Sequence, residues 1–486
     1  MADEAAKRAE FTFKVVVNKQ KTKVLFAEVD HNFADVLLSF LTLPLGKIVR
    51  ILTKHYGDDK DGPVNIGSLT SLCDGISNLN DICFCTEGCK EMLLDPRSSF
   101  EPECRELKLD IHEAVPTKYF LCEDMRCFHS QTSMYGHSAC GCGIPLKREV
   151  DVVKDSQTDS NKGVFTINTA SFLIADDLRM VPNVAVSIME TLRNIGVTNT
   201  DDAELTSATF GLNEIMDLLR GSLLSCTPLT DIILNKGKIV SPTVGYEPET
   251  LLCNKIEKET ESNSKKKMNL KLMVQESTNK LLFAQADDDF VDFLFTLLTV
   301  PLGGVLDCVL GSHTNGLKSI DNLYRSVKTL IDDKYFLAPD TKTRLMKPKL
   351  PRGFMSKNPI LPLSEEESVH WLYYNCNADK KEWLSYSDSG RKIRVVYPKG
   401  QSTDFVKGPT MYMVSDDLTV KPLSMSYSIS FLNEMKIPLS DIKEVEVQIG
   451  LQEAISILKA SLTSTSALTD GLMINPVSNK TRKLEH

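Results

Sequence analysis

Phe13, Val15 and Val17 take every second place near the start of the chain, with Lys14 and Val16 between them. Polar residues Asn18 to Thr22 follow, and β-prone residues resume from Lys23 to Val29. A period of two on both sides of a polar turn predicts a β-hairpin. The period then changes. Phe33, Val36, Leu37, Phe40 and Leu41 fall three or four apart, the spacing of one helix face, and Asp30 or Asn32 stands where an N-cap is needed. Pro44 and Gly46 are expected to interrupt that helix, because proline removes a backbone donor and clashes with the preceding turn.

The whole pattern comes back later in the chain. KVLFAEVDHNFADVLLSFLTLPLG, from Lys23 to Gly46, returns from Lys280 to Gly303 as KLLFAQADDDFVDFLFTLLTVPLG. Over Lys14 to Gly46 and Lys271 to Gly303, close to half the positions are identical without a gap. Further signals recur in the same order. A helical pattern from Ile66 to Leu79 is matched by Leu317 to Ile331, and FLIADDL ending at Leu178 is matched by MYMVSDDL ending at Leu418. Pro182 and Pro422 follow these, then helical runs at Val184 to Ile195 and Tyr427 to Met435, then strand-to-helix patterns at Thr206 to Leu224 and Val445 to Leu462. Self-similarity of this kind predicts a tandem duplication.

The expected fold is therefore α+β, with two homologous tandem modules at residues 11–236 and 268–476 and short tails at 1–10 and 477–486. Each module has a β-hairpin plus helix and a C-terminal strand/helix repeat. A zinc-ribbon-like insertion belongs to the first, within a cysteine-rich region at 80–143. The connection at 237–267 contains NKIEKETESNSKKK, too charged to bury much surface, and reads as a linker. The apolar run from Phe293 to Leu306 is shorter than the roughly 20 residues of a membrane span and is bracketed by Asp292 and Asp307, so a buried core helix is expected.

Charge narrows the function. A net charge of -9 over 486 residues argues against binding nucleic acid by general phosphate attraction. The N-terminal MADEAAKRAEF has no apolar leader pattern, so a cytoplasmic or nuclear protein is expected. In such a reducing compartment, the 13 cysteines are expected as buried thiols or metal ligands and not as disulfides.

Cys122, Cys127, Cys140 and Cys142 form two pairs, separated by four residues and by one residue, with twelve residues between the pairs. Two cysteine pairs on two turns can set four thiolates tetrahedrally around zinc, which is how ribbon-type structural sites close. Gly136, Gly141 and Gly143 suit tight loops about a metal. A structural zinc leads this reading, with free buried thiols and a catalytic or redox set as its alternatives. His129 and His137 lie between the cysteine pairs as loop histidines or substitute ligands. Cys83, Cys85, Cys89 and Cys104 match no metal spacing and read as buried or surface thiols. The second half keeps only Cys376 at the corresponding place, so no four-cysteine zinc is expected there.

The doubled acids Asp176-Asp177 and Asp416-Asp417 suit general acid–base work or a divalent cation. Their repeated position before a leucine and a later proline reads more simply as a turn. The chain holds no Walker loop, G-x-G-x-x-G, G-x-S-x-G or H-E-x-x-H pattern.

TLPLG at Thr42 to Gly46, PTKYF at Pro116 to Phe120, Cys122 with the closing CxCG at Cys140 to Gly143, and Asp176 to Pro182 together resemble the plant family known as domain of unknown function 674. The resemblance covers nearly the whole chain. It implies a plant protein and brings no established activity, substrate or catalytic residue. The leading expectation is a non-catalytic binding or scaffolding protein with a structural zinc, serving a protein or small-molecule partner and not a membrane. One alternative is an enzyme of plant metabolism with its active site in the cleft between the modules, where Asp176, Asp177, His129 or His137 acts. Another is a zinc-containing nucleic-acid-associated protein, which requires a basic surface around Arg126, Lys147 and Arg148.

Overall fold

The computed structural model describes residues 9–57, 65–112, 118–127, 130–153, 163–184, 193, 203–237, 267–311, 317–367, 371–377, 381–386, 390–399, 404–408 and 410–472. In the first half, strands β1 (Phe11–Asn18) and β2 (Val24–Asp30) lead into helices His31–Ser39, Leu45–Tyr56 and Leu69–Asn78. Short helices Cys89–Leu94 and Glu101–Cys104 follow within the cysteine-rich region. Strands β3 (Lys118–Cys122), β4 (Gln131–Ser133), β5 (Leu146–Val153), β6 (Ser171–Ala175), β7 (Met180–Pro182) and β8 (Ala203–Phe210) follow, then helices Leu212–Leu224 and Pro228–Ile233.

The second half runs in a comparable order. It opens with β9 (Met268–Gln275), β10 (Lys280–Ala286) and helices Asp288–Leu297, Leu302–Gly311, Lys318–Thr329 and Thr341–Met346. Next come β11 (Trp371–Cys376), β12 (Glu382–Ser385), β13 (Arg391–Val395), β14 (Tyr412–Val414) and β15 (Val420–Pro422). Helix Met425–Glu434, β16 (Ile442–Ile449) and helices Leu451–Thr463 and Ala467–Leu472 complete it. The first-half helical run expected from Val184 to Ile195 falls almost entirely outside the described residues.

The opening hairpin forms as its period of two requires. Phe11, Phe13, Val15 and Val17 are buried and β1 pairs antiparallel with β2. Asp30 is the cap, its Oδ1 accepting from the Phe33 amide at 2.9 Å, and Asp287 does the same for Phe290 at 3.1 Å. Pro44 ends the first helical segment as expected, but Gly46 does not. It lies in the first turn of Leu45–Tyr56, where a Cβ would come within 3.0 Å of the Leu93 carbonyl and 3.1 Å of Leu298. Close packing, and not helix breaking, is what that glycine serves.

Two five-stranded antiparallel sheets result, in the orders β7-β6-β2-β1-β8 and β15-β14-β10-β9-β16. A third sheet is a closed six-stranded barrel to which each half contributes three strands. β3 pairs antiparallel with β4 and β5, and β11 with β12 and β13. Parallel pairings of β12 with β5 and of β13 with β4 close the ring. Tyr119, Leu121, Val150, Leu372, Leu384, Ile393 and Val395 fill it.

The halves are also joined by reciprocal contacts. Pro44 bridges Pro301, the Leu45 amide donates to Val300 at 3.0 Å, and the Leu302 amide donates to Leu43 at 2.9 Å. Ser68 donates to the Ser464 carbonyl and Ser319 to the Ser225 carbonyl, each at 2.7 Å. The Cys85 amide donates to Phe405 at 2.9 Å and the Leu337 amide to Phe165 at 2.8 Å. One continuous apolar core accordingly runs through both halves, with Phe33, Phe40, Phe290 and Phe295 among its largest members. The run from Phe293 to Leu306 lies inside this core as parts of two helices around Pro301. Among the described residues, no helix is long and apolar enough to cross a membrane.

Candidate metal centre

Cys122 ends β3, and Cys127 sits on the turn after it, where its amide donates to the Asp124 carbonyl at 3.0 Å. Cys140 and Cys142 occupy the turn before β5. The Cys140 amide donates to Ile144 and the Gly143 amide to Cys140, both at 2.9 Å. Gly143 has φ +86°, the left-handed conformation that a turn this tight demands and that glycine adopts without strain. The other two glycines act differently: Gly136 faces the Phe120 ring, and the Gly141 amide donates to Gln131 Oε1 at 2.6 Å.

These turns bring the four sulfurs together. Sγ to Sγ distances are 3.6 Å for Cys122–Cys142, 3.5 Å for Cys127–Cys140 and 3.6 Å for Cys127–Cys142, and all four atoms lie within 4.8 Å of one another. Four sulfurs about 2.3 Å from a tetrahedral ion are about 3.8 Å apart, whereas a disulfide requires about 2.05 Å. All four are free cysteines and lie close enough to hold a metal ion. Cys122 and Cys140 are buried against Leu146, with Phe120, Ile144 and Val396 packed around them, while Cys142 is exposed. Burial pushes the Cys140 thiol up to about 12, while the Ile144 backbone amide draws the Cys142 thiol down to about 7.

His137 turns away from the sulfurs, with Nδ1 and Nε2 each 3.3 Å from a carboxylate oxygen, of Glu87 and Glu91 respectively. His129 lies outside the described residues. Cys83, Cys85, Cys89 and Cys104 do not gather into a second set among the described residues. Cys85 donates to the Val406 carbonyl at 2.9 Å, Cys89 lies 3.1 Å from the Thr86 hydroxyl, and Cys104 is fully buried near Thr42. Cys376, at the corresponding end of β11, is exposed.

The doubled acids brace turns. Asp176 accepts from the Thr230 amide and hydroxyl, both at 2.8 Å, and Asp416 does so from Thr469 at 2.8 and 2.9 Å. The leucine after each pair has positive φ, +62° at Leu178 and +66° at Leu418. Burial raises Asp176 to about 6, and Asp177 is engaged by Arg179 at 2.9 Å.

A second constellation escaped the sequence reading. A cavity of about 600 Å³ opens between helices Leu45–Tyr56, Leu69–Asn78 and Cys89–Leu94. Asp95, Arg97 and Tyr135 line its inner part, and Lys54, Asp74 and Glu91 its mouth. Asp95 Oδ1 receives both Lys47 Nζ at 2.6 Å and Arg50 at 2.7 Å. Arg97 is buried beside them, 3.4 Å from Glu101. Burial, with Arg97 nearby, lowers the Lys47 pKa, while the three cations hold Asp95 below the usual carboxylate range against its own burial. Buried charges leave no hydrophobic-pattern signal. A comparison of the halves would have exposed them, since Lys47, Arg50, Asp95 and Arg97 align with Gly304, Asp307, Lys347 and Lys349.

The site thus defines an α+β protein with a four-thiol cluster at one end of a barrel built jointly by its two halves. The model of the family described as Protein of unknown function (DUF674) matches residues 7–451, and the chain belongs to that family. No curated protein and no solved structure matches it.

Proposed function

We propose that this is a non-catalytic binding or scaffolding protein, formed from two copies of one ancestral unit, with a structural zinc in the first copy only. The observation that carries the proposal is the convergence of the Cys122, Cys127, Cys140 and Cys142 sulfurs to within 4.8 Å of one another. Four thiolates saturate zinc and leave no position for a substrate, which is the character of a structural site. Zinc suits an all-sulfur set better than magnesium or calcium, which take oxygen ligands. A reducing compartment, cytoplasm or nucleus, where thiols stay available to a metal, belongs to the same reading.

Two further observations weigh against the rival readings. Asp176, Asp177 and His137 are engaged in turns and ion pairs, and none of them lines the cavity described above or the cleft of about 750 Å³ between the halves, which Asn78, Asn80, Asp417 and Tyr427 line. Arg148 is neutralised by Glu382 and Arg126 faces Asp124 at 3.5 Å, so the basic surface required for nucleic acid is interrupted. Elemental analysis of purified protein tests the proposal. One zinc per chain is expected, lost in Cys140→Ser together with a lowered Tm. Metal-free wild-type protein with an unchanged melt on chelation overturns it, and zinc loss with full stability shifts the metal from a structural to a functional role.

A further inference from the structure

A helix of each half packs against the outermost strand of the other half's sheet, and the two junctions are built differently. Helix Lys318–Thr329 lies on β7, and helix Leu69–Asn78 lies on β15. In the first sheet the Ala175 and Asn183 amides donate to Arg179 and Ser171, and in the second the Ser415 and Leu423 amides donate to Thr419 and Met411. By the alternation of an antiparallel ladder, the amides of Met180 and Val420 then point out of the sheet edge toward the helix. Met180 donates to Ser326 Oγ at 2.9 Å, and Asn322 Nδ2 donates to the Asp177 carbonyl at 3.0 Å. Leu330 packs beside Val181 and completes that junction. Ser68 and Ser319 make equivalent bonds across the halves, and counting on from them sets Ser71 against Asn322 and Gly75 against Ser326. Lys421 stands where Val181 does, which removes the apolar seat that Leu330 uses. Gly75 brings no side chain to the Val420 amide, whose nitrogen lies 3.3 Å from where a Cβ would be. Val420 is buried, and among the described residues no acceptor meets this amide. Buried backbone donors are almost always paired, so this one calls for an oxygen from outside the chain.

The open junction is the cleft of about 750 Å³ between the halves, within the size range of small-molecule sites. Its walls offer both donors and acceptors. Asn78 Nδ2 donates to the Asp74 carbonyl at 2.9 Å, so its side-chain oxygen accepts, while Asn80 Oδ1 receives the Ile82 amide at 3.0 Å, so its nitrogen donates. Across from them Asp417 accepts from the Thr419 amide and hydroxyl, both at 3.1 Å, and Lys421 donates to the Tyr427 hydroxyl at 2.5 Å. We propose that this cleft binds an uncharged polyhydroxylated ligand of the sugar class, one of its oxygens accepting from the Val420 amide and its hydroxyls spanning the Asp74–Asn78 and Asp417–Lys421 walls. A hydroxyl donates and accepts at once, which suits a lining of mixed carboxylates, amides and one ammonium. An anion would face Asp74 and Asp417, and a cation would face Lys421. The inference names a ligand class for the binding reading given above and rests on it.

Saturation-transfer difference NMR of the full chain tests this with the methyl glycosides of glucose, galactose, mannose and xylose, with sucrose and maltose, and with glucuronate and spermidine as charged comparisons. At least one uncharged sugar is expected to receive saturation at about 5 mM and to bind at least tenfold more tightly than either charged compound. Gly75→Ser gives Val420 the acceptor that Ser326 gives Met180 and narrows the cleft, so it is expected to weaken that sugar at least tenfold in a protein that melts as the wild type does. Asp74→Ala, at an exposed position, is expected to weaken it as well, whereas Arg325→Ala on the corresponding helix of the second half leaves binding unchanged. Near-ultraviolet circular dichroism identifies any variant that fails to fold. Absence of transfer to every sugar overturns the proposal, as does preference for glucuronate or spermidine, or an affinity unaltered by both Gly75→Ser and Asp74→Ala in folded protein. Conversion of a bound sugar to another compound supports the ligand class and overturns the non-catalytic reading, and zinc content bears on that reading alone, so the two fail separately.

Discussion

Pro44 and Pro301 face each other across an antiparallel bridge, each lying in the TLPLG or TVPLG segment of its own half. Neither proline has an amide to donate, so the bonds that hold the pair come from the residues after them, Leu45 to Val300 and Leu302 to Leu43. The sequence pattern that recurs most faithfully is thus also the place where the two halves meet.

The glycines beside these prolines are set by that meeting. A Cβ on Gly303 would lie 2.4 Å from the Leu345 carbonyl and 3.0 Å from that of Leu41, whereas on Gly304 it would meet only Val300 Cγ1 at 3.6 Å. Gly303→Ala is expected to destabilise the protein by about 2 kcal/mol or more, in the range of other overpacking substitutions. Gly304→Ala, in the same helix, is expected to be neutral or to stabilise by about 0.5–1 kcal/mol. Urea unfolding of the two variants side by side checks the contrast.

Charge reversal between the halves gives a second contrast. Asp95→Ala leaves Lys47 and Arg97 buried with one carboxylate fewer, and a loss of about 3–5 kcal/mol is expected. Lys347→Ala removes a lysine whose side chain is 67% exposed, and the expected change is below about 1 kcal/mol. Thermal melts with matched van't Hoff analysis separate the two.

His112 makes the junction pH-sensitive. Its Nε2 lies 3.1 Å from the Ser39 carbonyl and 3.4 Å from the Thr42 hydroxyl, and burial drives its pKa down from 6.5 to about 3. The folded state therefore keeps it neutral while the unfolded chain takes up a proton below about pH 6.5. Its contribution is complete above that value and is lost as pH falls from 6.5 toward 3. Between pH 7 and pH 4 the wild type is expected to lose about 3 kcal/mol through this group, and His112→Gln to lack that share of the slope. Urea midpoints measured at half-unit pH intervals for both proteins provide the check.

Much of this architecture could be read from local pattern. Alternation announced β1 and β2, Asp30 stood at its cap, and paired cysteines around Gly143 announced the turns that gather four sulfurs. These features depend on residues near one another in sequence. The barrel closure did not announce itself, since the pairing of Trp383 with Asp151 joins strands far apart whose individual patterns fit either partner. Ser68 with Ser464 is a similar case. Lys47 is different: charged side chains are rarely buried unless paired, and its partner Asp95, 48 residues away, is visible only in three dimensions. Gly46 carried the opposite ambiguity, because a glycine after proline signals a break and here marks close contact.

X-ray absorption at the zinc edge of the purified full-length protein tests the central claim most directly. The account predicts one zinc per chain with four sulfur neighbours at about 2.3 Å and no nitrogen or oxygen in the shell. A shell containing histidine nitrogen or water, or a protein that carries no zinc while all four thiols react freely, would contradict it.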